Sequence, residues 1–214
     1  MKHKFLDMIK QRKLTLSLTN FNLMVAVWLG LILNFSFLSK IQMLTPYQGV
    51  RAYAFIGATA ILLIALYNFF LQIVDWKWTA KFFAICLVFI GGFSSYFVNS
   101  LGVIISPDQI QNMMQTDTSE AVDLLSLRFG LWILFFVVFP IVVISRIQIR
   151  SETSIPKVLL KKIFNTVASL ALIGSCLYIF YVDYAAIFRE HRDLKGMISP
   201  QNVIGSTFSY YHKK

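Results

Sequence analysis

The chain has 214 residues, 57% of them hydrophobic, with 20 Phe, only 14% charged residues and a formal net charge of +10. Soluble domains hold roughly 45–50% apolar and about 25% charged residues, so this composition excludes an ordinary water-soluble fold. The basic residues sit at the ends of apolar runs and form no single stripe, which argues against a nucleic-acid surface and for membrane topology.

In chain order, residues 1–18 form a basic arm that includes Lys2, Lys4, Lys10, Arg12 and Lys13. The apolar run after it is too long for a cleavable signal and lacks a small-x-small cleavage site. Five runs are free of Asp, Glu, Lys, Arg and His: 20–39, 53–74, 82–107, 129–145 and 163–182. A helix needs about 20 residues to cross ~30 Å of hydrocarbon. The expected spans are therefore 20–39, 53–74, 82–98, 129–149 and 163–182, within a membrane domain of residues 19–182. Pro140 predicts a kink in the fourth, with neighbouring helices covering the freed carbonyl. Gly91 and Gly92, and more weakly Ala54 with Ala58, predict close helix approach. Trp28, Trp76, Trp78 and Trp132 lie mostly near span ends, as an aromatic belt would place them. Cys86 and Cys176 lie inside apolar runs and read as small packing residues.

Lys77 and Lys81 follow the second span, and Arg146, Arg150, Lys157, Lys161 and Lys162 follow the fourth. The alternate loops hold only Lys40, Arg51 and Arg128. The N-terminus is thus expected in the cytoplasm and, after an odd number of crossings, the C-terminus outside. The expected fold class is all-α integral membrane: five transmembrane helices plus external interfacial amphipathic helices.

The first external helix is expected over 106–126. Ser106 caps it, Pro107 suits its first position, Asp108 favours the positive end of the dipole and Gln109 completes a capping-box spacing. At 100° per residue, Ile110, Met113, Met114, Ala121, Leu124 and Leu125 share one face, with Asn112, Thr116, Ser119, Glu120 and Asp123 opposite. Two readings of the polar face stand: a connector whose polar side is merely wet, or a strip aimed at a lipid head group. Asn112, Thr116 and Glu120 offer an amide, a hydroxyl and a carboxylate in line, suited to phosphate oxygens and an ammonium group. Asp117 falls on the apolar face, which requires a cation such as Arg128 or Arg51 beside it, or a helix that does not lie flat on lipid.

The tail, 183–214, reads as a linker followed by a short interfacial helix, with Ser199 as cap, Pro200 at its first position, and Val203, Ile204, Phe208 and Tyr211 as its apolar stripe. Arg189, His191, Arg192 and Lys195 either contact anionic head groups or are solvated and pair with Glu190 and Asp193. His3, His191 and His212 lie far apart in sequence, so no metal-ligand cluster is expected, and no local motif marks a catalytic residue. Proton pumps and ion-coupled transporters carry ionisable groups within their spans. Here only amides and hydroxyls enter them, such as Asn22, Asn34, Asn68 and Gln72, which read as helix-packing groups. A small transporter subunit and a purely structural anchor remain as alternative readings.

The stretches "SYFVNSLGVIISPDQIQNMMQTDTSEAVDLL" and "YAAIFREHRDLKGMISPQNVIGSTFSYY" resemble the lipid A phosphoethanolamine transferases of Gram-negative bacteria, a group that includes the mobile colistin-resistance enzymes. The resemblance implies the N-terminal membrane domain of a two-part enzyme in the bacterial inner membrane, with its C-terminus in the periplasm. It implies an absent periplasmic catalytic domain with a zinc site and a threonine nucleophile, so the 214 residues alone should transfer nothing. The implied reaction moves phosphoethanolamine from phosphatidylethanolamine to a lipid A phosphate, giving polymyxin (colistin) resistance. In the family, the positions matching Asn112, Thr116 and Glu120 are implicated in holding the donor. The sequence departs from the family at Leu101-Gly102, where relatives often show Tyr-Gly, at Ser199-Pro200 in place of Asn-Pro, and in the order of the basic residues 189–195.

Overall fold

Backbone polar groups in hydrocarbon must be bonded within their own segment, so a long apolar chain that crosses it without closing a barrel folds as helices. A computed structural model describes residues 14–115, 126–150 and 154–212. The expected basic arm up to residue 13 and the second half of the external helix, including Thr116, Asp117 and Glu120, lie outside the described residues.

After a short strand β1 (Thr15–Leu16), helix α1 (Leu18–Val27) is capped by Ser17, whose hydroxyl accepts from the Asn20 N–H at 3.3 Å. A π-helical turn, Trp28–Ile32, continues α1, and α2 (Phe35–Leu44) follows at a bend of 53°. The sequence predicts one uninterrupted span over 20–39; the structure breaks it at Leu33–Asn34. The cause is side-chain amides that a hydropathy pattern cannot register. The Leu33 N–H reaches the Trp28 carbonyl at 3.2 Å, and Asn34 Nδ2 donates to the Leu29 carbonyl at 2.7 Å. On the other side of the bend, Asn99 Oδ1 accepts from the Ser36 N–H at 2.9 Å.

Helices α3 (Gly49–Val74) and α4 (Ala80–Leu101) follow, then α5 (Pro107–Gln115). Helix α6 (Leu127–Ile133), a π-helical turn (Leu134–Val138) and α7 (Phe139–Arg146) make one continuous apolar rod, leading to strand β2 (Gln148–Ile149). Helix α8 (Ile155–Glu190), a 3-10 turn (Arg192–Met197) and α9 (Gln201–His212) complete the chain. Among the described residues four helices are long and apolar enough to cross a membrane, and five spans result if the bent pair counts as one. The last of them, α8, runs from Ile155 to Glu190, well beyond the expected 163–182, and takes in part of the expected linker.

Where the sequence predicts a kink at Pro140, the structure shows a π-helical turn, Leu134–Val138, within a continuous rod. Pro140 sits at the start of α7, immediately after the π turn, because its ring and missing N–H are incompatible with an undisturbed helix there. Gly92 faces this irregular turn: a Cβ on it would lie 2.4 Å from Val137 Cγ2 and 3.1 Å from the Phe136 carbonyl oxygen. Gly91 is equally confined, with Leu33 Cδ1 at 2.8 Å from such a Cβ. The absence of a side chain therefore lets α4 approach both neighbours.

One buried cluster joins α1, α4 and α7 through Phe21, Leu29, Val88 and Ile144; a second joins α2, α3 and α8 through Phe37, Ile41, Phe55 and Tyr184. Phe180 departs from helical geometry inside α8 (φ −120°, ψ 25°) and packs edge-on against Phe55 with ring centroids 5.1 Å apart. Large apolar side chains such as Phe70, Phe135, Phe164 and Ile179 are exposed on the outer faces, where a bilayer is their solvent. Trp76 and Trp78 lie beyond the end of α3. Trp28 and Trp132 serve packing instead of a belt: both meet Phe136, and Trp132 Nε1 donates to the Gly92 carbonyl at 3.1 Å.

Strands β1 and β2 pair in parallel, Thr15 opposite Gln148 and Leu16 opposite Ile149. They tie the entry of α1 to the exit of α7. At the same end, Asp75 is fully buried and, among the described residues, neither carboxylate oxygen has a hydrogen-bond partner. Burial pushes its carboxyl up to about 7, against the pull of Lys162. The Lys162 ammonium donates to the Asp75 backbone carbonyl and lies 5.1 Å from the Trp76 ring centroid.

Candidate functional site

At the other end of the bundle, Gly102 closes α4 in a left-handed conformation (φ 66°) and turns the chain towards α5. The connecting strand is clamped at Ile105. Its N–H donates to the Gly196 carbonyl at 3.0 Å, and its own carbonyl accepts from Ser206 Oγ at 3.0 Å. Gly196 cannot carry a side chain there, since a Cβ would lie 2.5 Å from Ile104 Cγ2 and 2.8 Å from the Ile105 oxygen. Val98, Ile105 and Ile110 pack with Met197, Val203 and Tyr210, seating α5 against α9.

The expected cap at Ser106 is present: its hydroxyl accepts from the Gln109 N–H at 3.2 Å. Ile110 is buried, whereas Met113 and Met114 of the expected apolar face are exposed. Between the start of α5, the 3-10 turn and α9 lies an open cleft of about 390 Å³. Arg192, Asp193 and Lys195 line one side, and Ser106, Gln201, Asn202, Ser206 and Ser209 supply hydroxyls and amides. The N-terminus of α5 adds the positive end of its dipole. Two cations, a helix start and several hydroxyl groups suit phosphate oxygens, and Asp193 suits an ammonium.

Of the residues singled out in the sequence, Arg192 and Lys195 come together on this cleft, while Arg189 and His191 are absent from its lining. Asn112 projects from α5 as an exposed residue, roughly 7 Å along the helix from Pro107 at 1.5 Å per residue. Thr116 and Glu120 lie outside the described residues. Among the described residues, no group of three or more His, Cys, Asp and Glu side chains is placed to hold a metal ion.

Sequence reasoning did not find what holds this face to the membrane helices. Ser199, expected as the cap of α9, is fully buried. Its N–H donates to Asn34 Oδ1 at 2.8 Å, and its carbonyl accepts from Asn34 Nδ2 and from the Tyr67 hydroxyl, each at 2.8 Å. The adjoining peptide bond to Pro200 is cis. Asn202 Nδ2 then donates to the Gly196 carbonyl at 3.1 Å and to Ser199 Oγ at 3.3 Å. A second link joins Tyr47, ahead of α3, to α8: its hydroxyl donates to Asp183 Oδ2 at 2.7 Å and accepts from Arg51 at 3.0 Å. The polar character of Asn34 was visible in the sequence, but its partner lies 165 residues away.

The family model for phosphoethanolamine transferase EptA/EptB matches residues 63–214. The chain belongs to the EptA/EptB phosphoethanolamine transferase family. Among curated relatives, it is 24% identical over 197 residues to phosphoethanolamine transferase EptA of Escherichia coli strain K12, covering 92% of this chain and 36% of that protein. It is 29% identical over 180 residues to phosphatidylethanolamine transferase Mcr-1 of Escherichia coli, covering 82% of this chain and 32% of that protein. The chain thus spans about a third of the length of the curated relatives it matches. Among solved structures, the integral membrane lipooligosaccharide phosphoethanolamine transferase EptA of Neisseria meningitidis superposes with a TM-score of 0.85 at 22% identity, covering 94% of this chain and 37% of that one. The structural likeness shows the fold, that of a helical, multi-pass part of an integral membrane protein, while the family rests on the match over residues 63–214.

Proposed function

We propose that this chain is the membrane domain of an enzyme that transfers phosphoethanolamine from phosphatidylethanolamine to a lipid A phosphate in the bacterial inner membrane, conferring polymyxin resistance. The observation that carries the reading is the family match over 63–214, which spans both α5 and the cationic cleft beside it. Transfer chemistry belongs to a periplasmic catalytic domain, for which the family resemblance implies zinc. This domain anchors that catalytic part and presents the donor lipid. The spacing of Asn112, Thr116 and Glu120 in the sequence, four residues apart, suits them to receive the head group, with Arg192 and Lys195 drawing its phosphate towards the cleft. The N-terminus is cytoplasmic and the C-terminus periplasmic, as the distribution of Lys and Arg supports.

The test is Glu120→Ala in the enzyme carrying its catalytic domain. Loss of phosphoethanolamine on lipid A, read by mass spectrometry at unchanged protein level, supports donor binding. Undiminished modification would reduce the role of this face to anchoring.

A further inference from the structure

A second cleft lies at the opposite end of the bundle from the external face, where β1 meets β2. It measures about 250 Å³ and is walled by Leu18, Trp76, Trp78, Ile149, Ile155 and Val158. Lys77, Arg150, Lys161 and Lys162 also line it. A neighbouring cleft shares Lys77, Ile149 and Arg150 and adds Lys81, which donates to the Ser145 carbonyl at 3.0 Å. Among the described residues, neither cleft includes an acidic side chain in its lining.

We propose that this cleft binds an anionic phospholipid, its phosphate held by Lys77 and Arg150 and its acyl chain laid along the apolar wall. Three observations carry this beyond a surface of scattered lysines. The cations are placed by structure: the Arg150 backbone N–H donates to the Leu16 carbonyl at 2.8 Å, and the Lys77 ammonium lies 5.6 Å from the Trp78 ring centroid. The walls are apolar and continue onto exposed Trp78 and Ile155, which an inorganic anion would not need. The cleft also opens at the ends of α3 and α7 and the start of α8, the level at which tryptophan belts and lipid phosphates occur. Phosphatidylethanolamine, with no net charge, would use the apolar wall but gain little from the cations. The inference is independent of the transfer reaction, because this cleft and the external face lie at opposite ends of the spans.

Native mass spectrometry of the purified protein, in micelles holding equal amounts of phosphatidylglycerol and phosphatidylethanolamine, tests it. The expected result is preferential retention of phosphatidylglycerol that inorganic phosphate does not displace. Each lost cation lowers that retention about fivefold, so Lys77→Gln with Arg150→Gln abolishes the preference, while Lys40→Gln, on α2, leaves it intact. Lys77 is exposed, so Lys77→Gln alone reads the effect even if the double variant fails to fold. Equal retention of the two lipids, an unchanged preference in Lys77→Gln, or displacement by inorganic phosphate would each overturn the proposal.

Discussion

Asn34 and Ser199 hold each other by two hydrogen bonds of 2.8 Å, the amide side chain pairing with the serine's backbone N–H and carbonyl as a neighbouring strand would. The same amide nitrogen also satisfies the Leu29 carbonyl at 2.7 Å. One residue thus stabilises the break in the first span and fixes the chain leading into α9.

Asn34→Ala removes three bonds and strands the buried Ser199 N–H, while the Ser199 carbonyl keeps the Tyr67 hydroxyl. Each unpaired group costs about 1–3 kcal/mol, so the expected loss is a few kcal/mol, read as a lower midpoint of thermal unfolding in detergent. A cysteine placed at Ser209 should become more reactive in that variant, because α9 loses its root. Unchanged labelling with a lowered midpoint would separate the bend from the placement of α9.

Gly92→Ala forces a methyl against Val137, and overpacking of this kind costs about 1–3 kcal/mol. Val137→Ala in the same chain vacates the colliding Cγ2 and should recover part of the loss. The double-mutant cycle is expected to give a favourable coupling energy of the order of 1 kcal/mol. Strict additivity would show that the Phe136 carbonyl, not Val137, sets the limit.

Asp75 gives stability a pH dependence of predictable sign. Its folded value of about 7 lies above the ordinary 3.8, so between those values the folded state keeps a proton that the unfolded chain has released. Stability then falls as pH rises from about 4 to 7 and levels off above that. Asp75→Asn should flatten this part of the profile and raise the unfolding midpoint at pH 8 relative to the parent. An equal slope in both proteins would assign the dependence to another group.

On the proposed donor-binding reading, Arg192→Gln combined with Lys195→Gln should weaken capture of phosphatidylethanolamine at the cleft between α5 and α9. The effect is expected to shrink as salt is raised, since exposed charges are screened over about 8–10 Å at physiological ionic strength. Arg189→Gln, outside the cleft lining, serves as the comparison. A loss as large in Arg189→Gln would indicate general surface charge in place of a site.

The apolar runs made the helices legible, because hydrocarbon leaves the backbone few alternatives. Gly92 was legible as well, acting through local sterics, and Pro140 was legible as a disturbance, although it accompanies a π-helical turn and not the expected kink. The bend at Asn34 was not: Asn34, Asn99 and Ser199 are distant in sequence and meet only after packing. Nor was the β1–β2 pairing, since two-residue strands carry no periodicity. Around the cleft between α5 and α9, the Ser106 cap and the basic residues around Arg192 were visible, while their convergence depends on Gly196 admitting the Ile105 backbone. Asp75 escaped notice because a single acid after an apolar run looks solvated until the neighbouring helices enclose it.

The anchored Ser199 also sets how far a small change at the root of α9 would reach. Twelve residues of helix extend about 18 Å at 1.5 Å per residue, with Ser199 as fulcrum beside the bend of the first span. A tilt of about 10° there would carry the His212 end roughly 3 Å by the same geometry. The side-chain amide of one asparagine, bonded to both backbone groups of Ser199, therefore holds the near end of a helix whose far end lies about 18 Å away.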